Sequence, residues 1–75
     1  MTRISPTDWK TQVRIFERGG CTFIRQSGDH LIFHHKAAKR AVVIPRYEEV
    51  PVTIILNNMR SIGMTREEYL LLLRE

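Results

Sequence analysis

Cysteine is almost missing from this chain, which carries Cys21 alone among its 75 residues. No internal disulfide can form, so the fold asks for no oxidising compartment and has to rest on a packed core. Long apolar runs are missing too: the longest, Tyr69 to Leu73, falls far short of the ~20 residues needed to cross a bilayer. No charged-then-apolar leader opens the chain. The expectation is a soluble, unprocessed cytoplasmic protein with no membrane partner. Length excludes more, because 75 residues supply one small core, residues 1–75 forming a single domain, and not a deep substrate cavity. Surface chemistry on a large substrate fits better. Metal-ligand spacing is also lacking: His34 and His35 are adjacent, point to opposite faces of a strand and have no carboxylate or thiolate company, so no metal or other cofactor is expected.

Acidic residues are scarce in the front of the chain. Residues 1–46 hold nine Lys or Arg against three acids, a balance of +6, whereas residues 47–75 hold three against five, a balance of −2. Such asymmetry suits a polyanion bound on one part of the surface.

Local signals give the order of elements. Ser5-Pro6-Thr7-Asp8 reads as a helix start, with Ser5 as N-cap, Pro6 in the first helical position, Asp8 completing a capping box and Ile4 stapled to Trp9. Trp9, Val13 and Phe16 share one face, Lys10, Arg14 and Arg18 form a basic stripe, and Gly19-Gly20 stops the helix, predicted over 6–18. Cys21 to Gln26, His30 to His35 and Ala41 to Pro45 are rich in β-branched and aromatic residues and are separated by short turn segments, which predicts a three-stranded antiparallel meander. Alternation leaves open whether His30/Ile32/His34 or Leu31/Phe33/His35 turn inward. Ile55, Met59 and Ile62 predict a second helix that starts near Pro51 to Thr53 and stops at Gly63. Thr65-Arg66-Glu67-Glu68 is a capping box opening a short last helix through about Arg74. The fold class is α+β: helices over one face of a meander, with the other face available.

One histidine stands out. Gly28 makes a turn that sets His30 at the head of an apolar strand, and an imidazole, with its ordinary pKa near 6.5, exchanges protons at neutral pH. Arg25, Lys36, Lys39, Arg40 and Arg46 lie near the strand ends, and Lys10 and Arg14 lie on the first helix. These cations make a phosphate ester the natural substrate. The four leucines Leu70 to Leu73 span too wide an arc to be buried together, so one or two are expected either to meet a partner, another protein or a second copy of the chain, or simply to pack against the sheet beside a frayed terminus.

The ordered set of a helix ending in Gly-Gly, Phe23-Ile24-Arg25-Gln26-x-Gly28-x-His30-x-Ile32-Phe33, Val42-Val43-Ile44-Pro45, and a helix closing on Gly63 before Thr65-x-Glu67-Glu68-Tyr69-Leu70 resembles the HicA toxin family over about residues 8–73. The resemblance implies a fold like the double-stranded-RNA-binding domain and a metal-independent endoribonuclease that cleaves mRNA and arrests translation. It also implies a HicB-type antitoxin that covers the active surface, and a catalytic role for His30. Lys10, Arg14, Arg25, Gly28, Lys36, Lys39, Arg40 and Arg46 are then the candidate RNA-binding positions. Two positions depart from the family pattern: Asp29 stands where Ser usually precedes the histidine, and Arg46 where His often follows the proline. Asp29 either hydrogen-bonds His30 or repels an approaching phosphate. The alternative reading is a non-catalytic RNA-binding or protein-interaction module on the same scaffold.

Overall fold

A computed structural model describes residues 3–75. The chain runs α1 (Trp9–Arg18), β1 (Thr22–Ser27), β2 (His30–His34), β3 (Val42–Pro45), α2 (Val52–Ile62) and α3 (Arg66–Arg74). The strands form one antiparallel sheet in the order β1-β2-β3, the α+β meander expected from the turn signals. The order of elements is compatible with the double-stranded-RNA-binding-domain-like layout. Among the described residues no helix is long and apolar enough to cross a membrane.

The first helix starts three residues later than its local signals predict. Thr7 is held extended by an antiparallel bridge to Val50, whose N–H donates to the Thr7 carbonyl at 2.6 Å. That pairing keeps Ser5 and Pro6 out of the helix, and Asp8 becomes the N-cap, its carboxylate accepting from the Thr11 N–H. The predicted Ser5 cap and Ile4–Trp9 staple are therefore not formed, because the staple positions for this cap are Thr7 and Gln12. A polar contact takes their place, with Gln12 Nε2 donating to Thr7 Oγ1 at 2.8 Å. The buried face is correspondingly turned: Gln12, Ile15 and Phe16 are sealed, and Trp9 and Val13 are half-buried at its border. Gln12 Nε2 also donates to the buried Tyr69 hydroxyl at 2.8 Å, which ties α1 to α3.

The core takes Leu31 and Phe33 from β2, Val42 and Ile44 from β3, and Ile55, Met59 and Ile62 from α2, with Ile15, Phe16 and Tyr69 closing it. This settles the faces of β2: Leu31, Phe33 and His35 turn inward, and His30 and His34 are exposed. Asn58 of α2 donates its Nδ2 to the Val43 carbonyl at 3.0 Å and so covers the free edge of β3. The opposite edge, β1, is exposed along its whole length, Phe23 and Ile24 included. The capping box at α3 forms as expected, Thr65 Oγ1 accepting from Glu68 N–H and Glu68 Oε1 from Thr65 N–H.

Candidate active site

The turn that presents His30 is fixed on three sides. Ser27 and His30 are paired across it, and Gly28 sits at φ +59°, the left-handed region that an L side chain rarely adopts. Gln26 Nε2 donates to the Gly28 carbonyl at 2.9 Å, and the Arg46 N–H donates to the Asp29 carbonyl at 2.7 Å. Gly28 is thus a conformational requirement, and its side of the turn is open space. Among the described residues neither a hydrogen bond nor an ion pair joins the Asp29 carboxylate to His30.

His30 lines a groove of about 340 Å³ between β3 and α2, whose walls include Arg40, Val43, Tyr47, Asn57 and Asn58. Residues 54, 58 and 61 form the face of α2 that meets the groove, while 55, 59 and 62, one position further round, meet the core. The imidazole has no hydrogen-bond partner among the described residues, so both ring nitrogens are free for a substrate. His35 contrasts with it. Buried at 9% exposure, its Nδ1 accepts from the Ala37 N–H at 3.0 Å, which makes Nε2 the protonated nitrogen that donates to the Gly19 carbonyl at 3.1 Å. His35 borders a second hollow, of about 370 Å³, beside Arg18 and Glu68, but neither ring nitrogen is available there. The free imidazole decides which hollow is the candidate site.

A β-bulge brings one arginine to the same face. Phe23 pairs with Phe33 and Arg25 with Ile32, leaving Ile24 as the extra residue. In a regular strand Phe23 and Arg25, two residues apart, would share a face; here their partners Phe33 and Ile32 are neighbours on opposite faces, so the bulge at Ile24 puts Phe23 and Arg25 on opposite faces. Phe23 therefore meets the ring of Phe33 edge-on at 5.6 Å, and Arg25 shares the outer face with Ile32 and His30, as a diagonal neighbour of His30 at roughly 7–8 Å by sheet geometry.

The remaining basic candidates divide into three groups. Arg46 lies with its guanidinium carbon 4.7 Å from the centroid of Trp9, and Lys10 approaches the same ring at 5.7 Å, so two cations are gathered at the end of the sheet that carries His30. Lys36, Lys39 and Arg40 are exposed in the β2–β3 connection. Lys39 and Arg40 line a hollow that shares Arg40 and Ser61 with the groove, making one furrow along β3. Arg14 is elsewhere: its guanidinium donates to the Leu72 and Leu73 carbonyls at the end of α3, each at 3.3 Å. Arg18, from the same helical stripe, pairs with Glu75 at 3.0 Å. Of the four leucines, Leu70, Leu72 and Leu73 pack against the core and Leu71 is exposed.

Sequence reasoning missed Tyr47, Asn57, Asn58 and Ser61, which come from a loop and from α2. The one local signal was a pair of asparagines, poor helix formers, inside an otherwise apolar helix.

The family model described as HicA toxin of bacterial toxin-antitoxin matches residues 9–64, from the first residue of α1 to just before the cap of α3. No curated protein and no solved structure matches the chain. The match spans well over half of the sequence and contains the groove, the turn and His30, and the chain belongs to the HicA family, the toxins of bacterial toxin–antitoxin systems, which implies an antitoxin partner.

Proposed function

We propose that this protein is an endoribonuclease that cleaves mRNA in the cytoplasm, with His30 moving the protons, and that a HicB-type antitoxin restrains it by covering the groove. The observation that carries the reading is an unpartnered, exposed imidazole on a rigid turn, facing a groove and flanked by guanidinium groups. RNA cleavage needs a proton removed from the attacking 2′-hydroxyl, a proton given to the departing 5′-oxygen, and compensation of the charge that grows on the phosphate. His30 serves the proton steps, worth about 10²–10⁴-fold in rate. Arg25, Arg40 and Arg46 are assigned to the developing charge. Lys10, Lys36 and Lys39 are assigned to phosphates further along the strand, and Gly28 to shaping the turn. The tie of Arg14 to α3 argues against an RNA contact for that side chain.

The test is cleavage of a single-stranded RNA by purified protein. His30→Ala is expected to lower the rate by about 10²–10⁴-fold with the fold intact by circular dichroism, and to relieve growth arrest when expressed in a bacterium. Full cleavage by the variant would remove His30 from the mechanism.

A further inference from the structure

We infer that the groove beside His30 is a subsite for one unstacked nucleotide, with Tyr47 as the surface on which the base stacks and the paired asparagines of α2 reading its edge. The inference rests on the RNA-cleaving reading above and adds the form of the substrate: single-stranded RNA with one base splayed out next to the scissile bond.

Three features support it. The first is size. At about 340 Å³ the groove lies at the small end of ligand pockets, about 300–1,000 Å³, which suits a single base. A duplex reader of comparable architecture instead spreads over ~16 base pairs of helical surface. The second is the preparation of Tyr47. Its N–H donates to the Pro45 carbonyl at 2.8 Å and its carbonyl accepts from the Trp9 N–H at 3.0 Å, so the backbone is pinned in both directions, yet the side chain remains 45% exposed at the groove. An aromatic ring that is held in place but uncovered is what base stacking uses. The third is the amide pair. Asn58 is largely buried, and its Nδ2 is committed to the Val43 carbonyl, which fixes the orientation of the carboxamide and leaves Oδ1 without a hydrogen-bond partner among the described residues. Asn57, one residue earlier, is exposed, and its Nδ2 makes no hydrogen bond among the described residues. A fixed acceptor beside an uncommitted donor, whose own Oδ1 accepts from Arg60 at 3.4 Å, matches the mixed donor and acceptor edge of a base. Arg40 at one end supplies a cation for the phosphate attached to that nucleotide.

The experiment separates this inference from the catalytic one by using a short single-stranded oligonucleotide with 2′-O-methyl riboses, which lacks the attacking hydroxyl and therefore reports binding alone. Tyr47→Ala is expected to weaken binding by about tenfold, Tyr47→Phe to retain it, and the same sequence as a duplex to compete at least about tenfold less well. With ordinary RNA, Tyr47→Ala should raise KM by a similar factor with kcat held, and Asn57→Ala should even out the distribution of cleavage sites while the total rate changes less. Binding that is indifferent to Tyr47→Ala, or a duplex that competes as well as the strand, overturns the subsite. So does a Tyr47→Ala variant that loses antitoxin binding but keeps its RNA affinity, because the groove is then a protein-docking surface. Strand binding that depends on Tyr47 without any cleavage keeps the subsite and removes the nuclease reading. Cleavage that ignores Tyr47 and Asn57 does the reverse.

Discussion

Arg14 offers a direct way to tell a structural cation from an RNA-binding one, because sequence and structure assign it differently. As one of three basic residues on a helical stripe it looks like a phosphate contact; in the fold its two terminal nitrogens serve the Leu72 and Leu73 carbonyls at the end of α3. Replacing it with Met keeps most of the aliphatic stem and removes only the charge and the donors. A hydrogen bond to a charged group contributes about 1.5–3 kcal/mol. Both bonds here are 3.3 Å, beyond the usual range, and half-exposed, so the pair is worth less than one good bond of that kind. Adding a cation at a helix C-terminus, about 0.3–1 kcal/mol, gives a total near 1 kcal/mol. For a domain of this size that is a fall of about 4–8 °C in Tm, measurable by thermal unfolding followed by circular dichroism. RNA affinity measured over a series of salt concentrations supplies the second readout, since each phosphate contact with a single strand adds about 0.7 to the slope of log K against log salt. Arg14→Met is expected to lower Tm and leave the slope alone, whereas Arg40→Met should lower the slope by about 0.7. An Arg14→Met protein with unchanged Tm and a reduced slope would refute the assignment.

Two further predictions concern groups whose protonation the fold controls. Burial pushes the Cys21 thiol up to about 11 from 9.0; at pH 8 its thiolate is rarer by about a hundredfold than in the unfolded chain, and alkylation by iodoacetamide should be slower in the native state by at least that factor. Because the folded thiol stays protonated while the unfolded one ionises, Cys21 also costs stability as pH rises above 9.0; native and unfolded protein alkylating at equal rates would contradict both statements. At Asp8 the Thr11 side-chain hydrogen bond holds the carboxyl below its ordinary 3.8. Its contribution is therefore present at neutral pH and is lost as pH falls through the lowered value. Asp8→Ala should cost about 0.5–2 kcal/mol at neutral pH, with the difference from the parent narrowing in acid; a difference that stays constant to low pH would show that the carboxylate is not the cap.

Signals confined to one turn of chain were legible in advance, and those that depend on distant pairing were not. The capping box at Thr65 and Glu68 and the glycine stop at Gly63, which adopts φ +70°, are local devices and appear where the spacing places them. The start of α1 is different. Ser5 and Pro6 have the composition of a helix start, but the bridge from Thr7 to Val50, 43 positions away, holds that segment extended, and a hydrogen-bonded bridge outweighs the preference of a cap. The inward face of β2 was undetermined because both of its faces carry apolar residues. Only the packing of α1 and α2 against β3 selects Leu31 and Phe33 for the core.

The candidate site divides in the same way, and the division says something about how such a small protein makes a site at all. His30 and its turn are contained in one hairpin, so Gly28 and the strand pattern locate them. The groove needs three separate pieces of chain: two are held by backbone hydrogen bonds, Tyr47 between Pro45 and Trp9 and the Asp29 carbonyl by the Arg46 N–H, and the third, the α2 wall, by the Asn58 side chain on the Val43 carbonyl. Backbone hydrogen bonds are indifferent to most side-chain changes, so the residues facing the groove can vary while their positions persist. Asp29 illustrates this: its carbonyl accepts from the Arg46 N–H whatever the side chain, and the carboxylate, with no hydrogen bond or ion pair among the described residues, is placed to change the electrostatics of the entrance. Asp29 should therefore act on how an RNA phosphate approaches, with its effect diminishing as salt rises, and Asp29→Ser should raise the cleavage rate most at low ionic strength. An equal gain at every salt concentration would mean that the carboxylate acts on the bound imidazole instead.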